Sequence, residues 1–95
     1  MPNSNAKHDL PVAFFHEPSD SVRFWVRVEG QEVGASIGRH TLHYRYEPQR
    51  ADDDPLQTYQ AHAAEIEAAV QRRVAGGSIE PVMLRDPDVA ARPAA

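Results

Sequence analysis

The stretch that decides the fold, SVRFWVRVEGQEVGASIG, covers residues 21–38. Every second residue of its first half is apolar, and the same alternation returns in its second half. This period of two is typical of β-strands that bury one face. A glycine at position 30 favours a two-residue turn at Gly30-Gln31, so the stretch predicts a β-hairpin. Its apolar positions are Val22, Phe24, Val26, Val28, Val33, Ala35 and Ile37.

A turn at Gly30-Gln31 also sets the register of the hairpin. It predicts three apolar cross-strand pairs on one face, namely Val28 with Val33, Val26 with Ala35, and Phe24 with Ile37. A slip by one residue would move the apolar side chains of one strand to the other face. This register sets Glu29 opposite Glu32, two like charges, which leaves a wider turn open as an alternative.

Three shorter segments flank the hairpin. Residues 11–17 and 78–84 are apolar enough to predict two short strands. Pro81 in the second strand favours a sheet edge or a bulge, because proline cannot donate a hydrogen bond to a strand ladder. Residues 39–46 lack the alternation and carry large apolar side chains four residues apart, which predicts a short helix.

A longer helix is predicted after residue 54. Asp54 is a favourable N-cap residue, and Pro55 suits the first helical position. Gly76-Gly77 supplies the stop signal about five turns later. Apolar residues at spacings of three and four form one stripe along this helix: Leu56, Tyr59, Ala63, Ile66, Val70 and Val74.

The predicted order is therefore β-β-β-α-α-β. It indicates an α+β fold in which a small antiparallel sheet carries two helices packed on one face. Residues 11–85 form one domain in this prediction. Residues 1–10 have little to bury and predict a disordered N-terminal tail, and residues 86–95 predict a flexible C-terminal tail.

Composition limits the classes of function. The net charge is -4, and an acidic chain is a poor candidate for binding a phosphate backbone. The chain has no cysteine, which excludes thiolate metal sites and cysteine nucleophiles. No apolar run approaches the length of a membrane span, and residues 1–7 are too polar for a secretory signal. We therefore expect a cytoplasmic protein with no membrane partner.

Several positions along the chain follow one characteristic order. They comprise an aromatic first strand, an acidic-Gly turn after the second strand, and core residues of the later elements: Phe14, Phe15, Val22, Phe24, Glu29, Gly30, Ile37, Leu42, Tyr46, His62, Ile66, Val82 and Leu84. In this order, over about residues 11–88, the chain resembles a small bacterial family known as domain of unknown function 1488. Gly38 departs from the serine expected at the start of the short helix. The family has no assigned activity, so the resemblance implies the fold and adds no site residue or cofactor.

The most prominent candidate site is Trp25 between Arg23 and Arg27. Alternation places these three residues on the face opposite the apolar one. An exposed aromatic residue between two guanidinium groups suits contact with a protein partner or stacking on a nucleic-acid base. The alternative is structural, with the indole covering the bare backbone of the neighbouring strand near Gly34 and Ser36.

Three histidines suggest a second site. His40 and His43 lie three residues apart on the short helix, and His62 lies on the long one. Three imidazoles form the ligand set of a catalytic zinc site when helices bring them together. Without cysteine or a His-Glu-x-x-His spacing, the pattern favours surface histidines, so we predict no metal.

The sequence therefore predicts a non-enzymatic accessory or protein-binding domain without a cofactor. It acts through the sheet face around Trp25 or through the acidic long helix, and its open strand edges allow a monomer or a weak homodimer. One alternative is a weak single-stranded nucleic-acid binder, which requires convergence of Arg23, Trp25, Arg27, Arg39 and Arg45. The other is a small metalloprotein built on the three histidines.

Overall fold

A computed structural model describes residues 11–89, in which helices cover one face of a four-stranded sheet with the strand order β1-β2-β3-β4. In chain order the elements are β1 (Phe14–His16), a short 3-10 turn (Glu17–Ser19), β2 (Ser21–Val28), β3 (Gln31–Gly38), α1 (Arg39–Tyr46), α2 (Pro55–Ala61), α3 (Ala63–Ala75), β4 (Val82–Leu84) and α4 (Asp86–Val89). The α+β class predicted from the sequence is confirmed.

The β2–β3 hairpin forms, but its turn lies one residue earlier than predicted. The turn residues are Glu29 and Gly30, with φ of 50° and 80°, and Val28 pairs with Gln31. Positive φ at both central positions is characteristic of a type I′ turn, whose twist matches that of the two strands. The predicted register is therefore wrong by two residues. An even shift leaves every apolar side chain on the predicted face.

The observed register also removes the like-charge pair of the predicted one. Arg27 lies directly opposite Glu32, so opposite charges are neighbours across the two strands. Turn geometry and charge pairing thus favour the same register. The apolar pairs that it forms are Val22 with Ile37, Phe24 with Ala35, and Val26 with Val33.

The fourth strand is parallel to β3, whereas the sequence predicted an antiparallel sheet. Strands β1, β2 and β3 are antiparallel neighbours, while β4 pairs Val82 with Ala35 and Leu84 with Ile37 in parallel register. The chain passes from β3 through α1, α2 and α3 before it returns, and such long helical crossovers join parallel strands. Pro81 directly precedes β4, which lies at the predicted edge of the sheet.

The helix starts follow the sequence signals. Gly38 precedes α1 without a capping side chain. Asp54 caps α2 by accepting hydrogen bonds from the backbone N–H groups of Leu56 and Gln57, at 2.9 and 3.4 Å. Pro55 occupies the first turn, as predicted. No helix within residues 11–89 has the length and apolar character needed to cross a membrane.

The long helix predicted after residue 54 is two helices, α2 and α3, separated at His62. The backbone of His62 leaves the helical region, with φ of -123°, and its N–H donates to the carbonyl of Tyr59 three residues earlier. The imidazole stacks on the Tyr46 ring of α1, with 4.0 Å between ring centroids. A contact between distant segments thus accompanies the break, and helical periodicity alone does not reveal it.

Helix α4 begins where the sequence predicted a flexible tail. Val89 is 2% exposed, and the Arg73 guanidinium donates to the Asp88 carboxylate at 2.7 Å. These contacts attach α4 to α3 and to the core. The predicted N-terminal tail, residues 1–10, and the rest of the C-terminal tail, residues 90–95, lie outside the described residues.

The hydrophobic core lies between the sheet and the helices. Phe24 is 1% exposed, and its ring centroid lies 4.7 Å from that of Tyr59 on α2. The predicted apolar stripe of α2 and α3 faces this core, either buried or packed against it. The buried apolar residues are Val22, Phe24, Val26, Val33, Ala35, Ile37, Leu42, Tyr59, Ile66, Ala69, Val70, Val82, Leu84 and Val89.

The positive φ at Glu29 predicts a stabilising substitution. A left-handed backbone costs most residues about 1–2 kcal/mol, while asparagine tolerates it. Glu29→Asn should therefore raise the free energy of unfolding in urea by about 1 kcal/mol. Glu29→Gln is the matched control, because it removes the same charge and keeps the strain. An Asn variant no more stable than the Gln variant would contradict the type I′ turn.

Two tyrosines, the buried Tyr59 and the half-buried Tyr46, predict a loss of stability in alkali. Burial, with a smaller contribution from the Glu67 carboxylate, raises the pKa of Tyr59 to about 12. Burial, followed by the charge of Glu65, also raises the pKa of Tyr46 to about 12. An unfolded tyrosine has a pKa near 10, so the native state binds these protons more tightly. The stabilisation is complete below about pH 10 and decreases as the pH rises toward about 12.

Urea unfolding at about pH 9 and about pH 11 measures this loss. Tyr59→Phe should reduce the difference in unfolding free energy between the two pH values, because the group that titrates is gone. An equal difference in the wild-type and Tyr59→Phe proteins would contradict the assignment to Tyr59.

Candidate functional site

The sheet face opposite the helices is the candidate site, and we call it the outer face. All four helices contribute side chains to the core on the other face. Alternation along β2 turns Arg23, Trp25 and Arg27 to the outer face, while Phe24 between them is buried. The structure thus brings together the three residues that the sequence singled out.

The strand register arranges the outer face in rows that cross the sheet. One row consists of Phe14, Arg23, Ser36 and Met83, each directly opposite the next. In the neighbouring rows Trp25 lies opposite Gly34, and Arg27 lies opposite Glu32. Large side chains therefore come from β1, β2 and β4, while the middle of β3 offers only glycine and serine.

Trp25 lies beside the bare backbone of β3, as the structural alternative predicted. A Cβ atom at Gly34 would lie 3.5 Å from the indole Nε1. The ring centroid of Phe14 on β1 is 6.1 Å from that of Trp25. The indole N–H makes no hydrogen bond to any of residues 11–89. The indole thus covers the backbone of β3, and its N–H group is available to a partner or to water.

A shallow groove of about 470 Å³ lies beside the indole. Its lining includes Gly34 and Ser36 of β3, Trp25 of β2 and Met83 of β4. Met83 is 62% exposed. Arg23 also lines the groove, and no carboxylate of residues 11–89 pairs with its guanidinium. The groove therefore combines apolar walls with an available cation.

At the β4 side of the sheet, side chains form hydrogen bonds with backbone N–H and C=O groups. The Gly34 N–H donates to the Glu80 carboxylate at 2.8 Å, beyond the point where β4 pairs with β3. The Arg73 guanidinium donates to the Met83 carbonyl at 3.0 Å. Another strand would have to displace these bonds to extend the sheet. The face is thus better suited to contact than this edge.

The three candidate metal-binding histidines do not converge. The Nδ1 atom of His43 lies 3.0 Å from an oxygen of Asp53, and His40 lies 3.9 Å from the Asp20 carboxylate. His62 stacks on an aromatic ring of α1 instead. Within the described part of the chain, no group of three His, Asp or Glu side chains has the geometry to hold a metal ion.

A polar depression of about 620 Å³ lies between α1 and the loop that follows it. The His43–Asp53 pair on its wall ties this loop to α1, and the Asp53 side chain is 11% exposed. His40 and Tyr44 at its rim are largely exposed. The depression is thus an open surface in which the half-buried Asp53 carboxylate already has a partner.

The five residues required for nucleic-acid binding do not form one patch. Arg39 pairs with the Asp20 carboxylate at 3.1 Å. Arg45 lies in the helical layer, where it donates to Glu65 at 2.9 Å and to the Val89 carbonyl. On the outer face itself, Glu32 is directly opposite an arginine. This face therefore carries both signs of charge.

Sequence reasoning did not include Phe14 and Met83 in the candidate site. Both were assigned to strands, but their place beside Arg23 depends on how β1 and β4 pair with the hairpin. Alternation around Met83, between the apolar Val82 and Leu84, was the available signal. It shows that Met83 faces away from the core without showing which residues lie beside it.

Comparison with known families adds a match over residues 13–82 to the model described as "Protein of unknown function (DUF1488)". The chain belongs to this family. The DUF1488 match covers β1, the hairpin, the helices α1 to α3 and the first residue of β4. It confirms the resemblance derived from the order of features. No curated protein and no solved structure gives a significant match to the chain.

The close approach of Trp25 to Gly34 predicts different effects for small and large side chains. Gly34→Ala adds an ordinary contact at 3.5 Å and should change stability by at most about 1 kcal/mol in either direction. Gly34→Leu should displace the indole toward water. Because Trp25 is the only tryptophan, its fluorescence reports this movement as a red shift in emission.

Gly38→Ala is the control for this pair, because no atom lies within 4 Å of a Cβ added there. We expect Gly38→Ala and Gly34→Ala to keep the wild-type emission maximum. An unshifted maximum in a folded Gly34→Leu protein would show that the indole does not lie against β3.

Proposed function

We propose that this DUF1488 protein is a protein-binding module that contacts its partner through the outer face. The observation that carries the proposal is the groove that Trp25, Met83 and Arg23 line together. Tryptophan, arginine and methionine are enriched at protein interfaces, and tryptophan and arginine often dominate the binding energy. A cytoplasmic location is part of this proposal.

Exposure of apolar side chains supports the same surface. Phe14 and Met83 lie in one row at opposite sides of the sheet and are 41% and 62% exposed. Contiguous apolar surface on a small protein marks an interaction site more often than isolated exposed residues do. The rings of Phe14 and Trp25, with centroids 6.1 Å apart, form such contiguous surface, and Met83 adds an exposed apolar side chain on the groove that Trp25 also lines.

The groups on the outer face specify the chemistry of the partner. Apolar side chains of the partner would fill the groove beside Trp25. A carboxylate or hydroxyl oxygen would accept from Arg23, which lacks a carboxylate partner within residues 11–89, and an oxygen atom would accept from the indole N–H. We therefore propose a partner protein with a flat surface that combines apolar side chains and carboxylates. A polyanionic strand fits less well, because Glu32 lies on the same face, directly opposite Arg27.

The proposed role is non-enzymatic and needs no cofactor. The His43–Asp53 pair has a structural use, since it joins the loop after α1 to that helix. The remaining titratable side chains of the polar depression are open to solvent and do not surround a common reacting position. These features favour binding over catalysis.

Affinity capture from a host-cell extract tests the proposal with the full chain as bait. Proteins retained by the wild type should be lost with Trp25→Ala and with Arg23→Glu, because the groove loses an apolar wall or its cation. Tyr44→Ala is the matched control, since it removes an exposed aromatic side chain from α1, away from the outer face. A set of captured proteins that Trp25→Ala leaves unchanged would contradict the proposal. Salt-dependent capture of single-stranded oligonucleotide in place of protein would favour the nucleic-acid alternative.

A further inference from the structure

We infer that the outer face packs on the outer face of a second copy of this chain, about a two-fold axis parallel to the strands between β2 and β3. This inference rests on the proposed function, because it uses the same surface and names its occupant. It follows from a self-complementary distribution of size and charge in the rows of the outer face.

The axis determines which strands meet. It places β2 of one copy on β3 of its partner and β1 on the partner's β4, with each row facing the same row of the other copy. In such an interface every contact occurs twice, because residue i meets residue j and j meets i. Self-complementarity therefore requires that the β1–β2 half of each row match the β3–β4 half of the same row in size and charge.

Side-chain size satisfies this requirement in the middle of the face. Each Trp25 extends from β2 toward β3, where Gly34 contributes no side chain. The space above this row, continuous with the groove of about 470 Å³, is thus available to the two indoles, which meet at the axis. At the two sides, Phe14 of each copy faces the partner's Met83, a favourable contact between sulfur and an aromatic ring.

Charge satisfies the requirement in the next row. Arg27 lies opposite Glu32 within one sheet, so the axis places Arg27 on the partner's Glu32 and Glu32 on the partner's Arg27. Four charges then alternate in sign across the interface. In the row between Phe14 and Met83, Arg23 faces the partner's Ser36, whose hydroxyl accepts a hydrogen bond.

The same charges disfavour the other face-to-face orientation. A two-fold axis across the strands at the Trp25 row would lay β2 on the partner's β2. Arg23 would then face the partner's Arg27, and like charges at an interface suppress binding. The positions of the two arginines thus select the axis parallel to the strands.

Sedimentation equilibrium of the full chain over a range of concentrations tests this inference. The wild type should show a monomer–dimer equilibrium, and Trp25→Ala should raise the dimer dissociation constant at least about tenfold. Tyr44→Ala, on α1, should leave the constant unchanged. Circular dichroism establishes that each variant is folded.

A charge-swap experiment tests the register of the two copies. Arg27→Glu and Glu32→Arg should each raise the dimer dissociation constant about tenfold or more, because like charges then face each other. Each single variant also carries a like-charge pair within its own sheet. An equimolar mixture of the two variants retains those internal pairs but restores opposite charges between copies. Recovery of dimer in the mixture therefore reports contacts across the interface.

Three results would overturn the inference: a wild type that stays monomeric at every concentration, a dimer that Trp25→Ala leaves unchanged, or a mixture that associates no better than either single variant. Capture of host proteins separates the two proposals. Trp25-dependent capture by a monomeric wild type would leave the protein-binding function in place and remove only the second copy as occupant. Failure of both measurements would remove the outer face as a binding surface.

Discussion

The type I′ turn at Glu29-Gly30 is the constraint on which the rest of the structure depends. It sets the register of β2 and β3, and the register determines which apolar side chains are neighbours under the helices. The same register aligns Trp25 with Gly34 and Arg27 with Glu32 on the other side. A single two-residue turn thus organises both faces of the sheet, the face that forms the core and the face that we propose for contact.

The helices reinforce this division of the sheet. They lie on one side of the sheet because the crossover from β3 to β4 lies on that side. The same crossover returns the chain to the end of the sheet where β3 began, so β4 is parallel to β3. The half-buried Arg73–Asp88 pair then attaches α4 to the same layer. Within residues 11–89, each helix after the hairpin adds side chains to the apolar face. The exposed aromatic and methionine side chains on the outer face are a consequence of topology as well as of sequence.

Much of this arrangement could be predicted from local pattern. Alternation in residues 21–38 identified the strands and the side of Trp25, and the Asp54-Pro55 signal identified the start of α2, because each depends on neighbouring residues. The position of the turn could not be predicted from local pattern. Gly30 suits either of two turns, and the choice depends on twist and on the pairing of Arg27 with Glu32.

The other differences arise from contacts between distant segments. The helix breaks at His62, where the imidazole stacks on Tyr46, and helical periodicity does not reveal that contact. The parallel direction of β4 likewise depends on the path of the whole crossover. For the candidate site, the chain pattern supplied Arg23, Trp25 and Arg27, whereas Phe14 and Met83 joined them only through strand pairing.

The hydrogen bonds from Gly34 to Glu80 and from Arg73 to Met83 have a further consequence. Head-to-tail growth of a sheet needs two different free edges, one on each side of every molecule. Here side chains occupy the β4 side, which leaves only β1 for strand addition among the described elements. Molecules that join only by pairing β1 with β1 form a closed pair. Growth of the sheet by strand pairing alone therefore stops at two molecules.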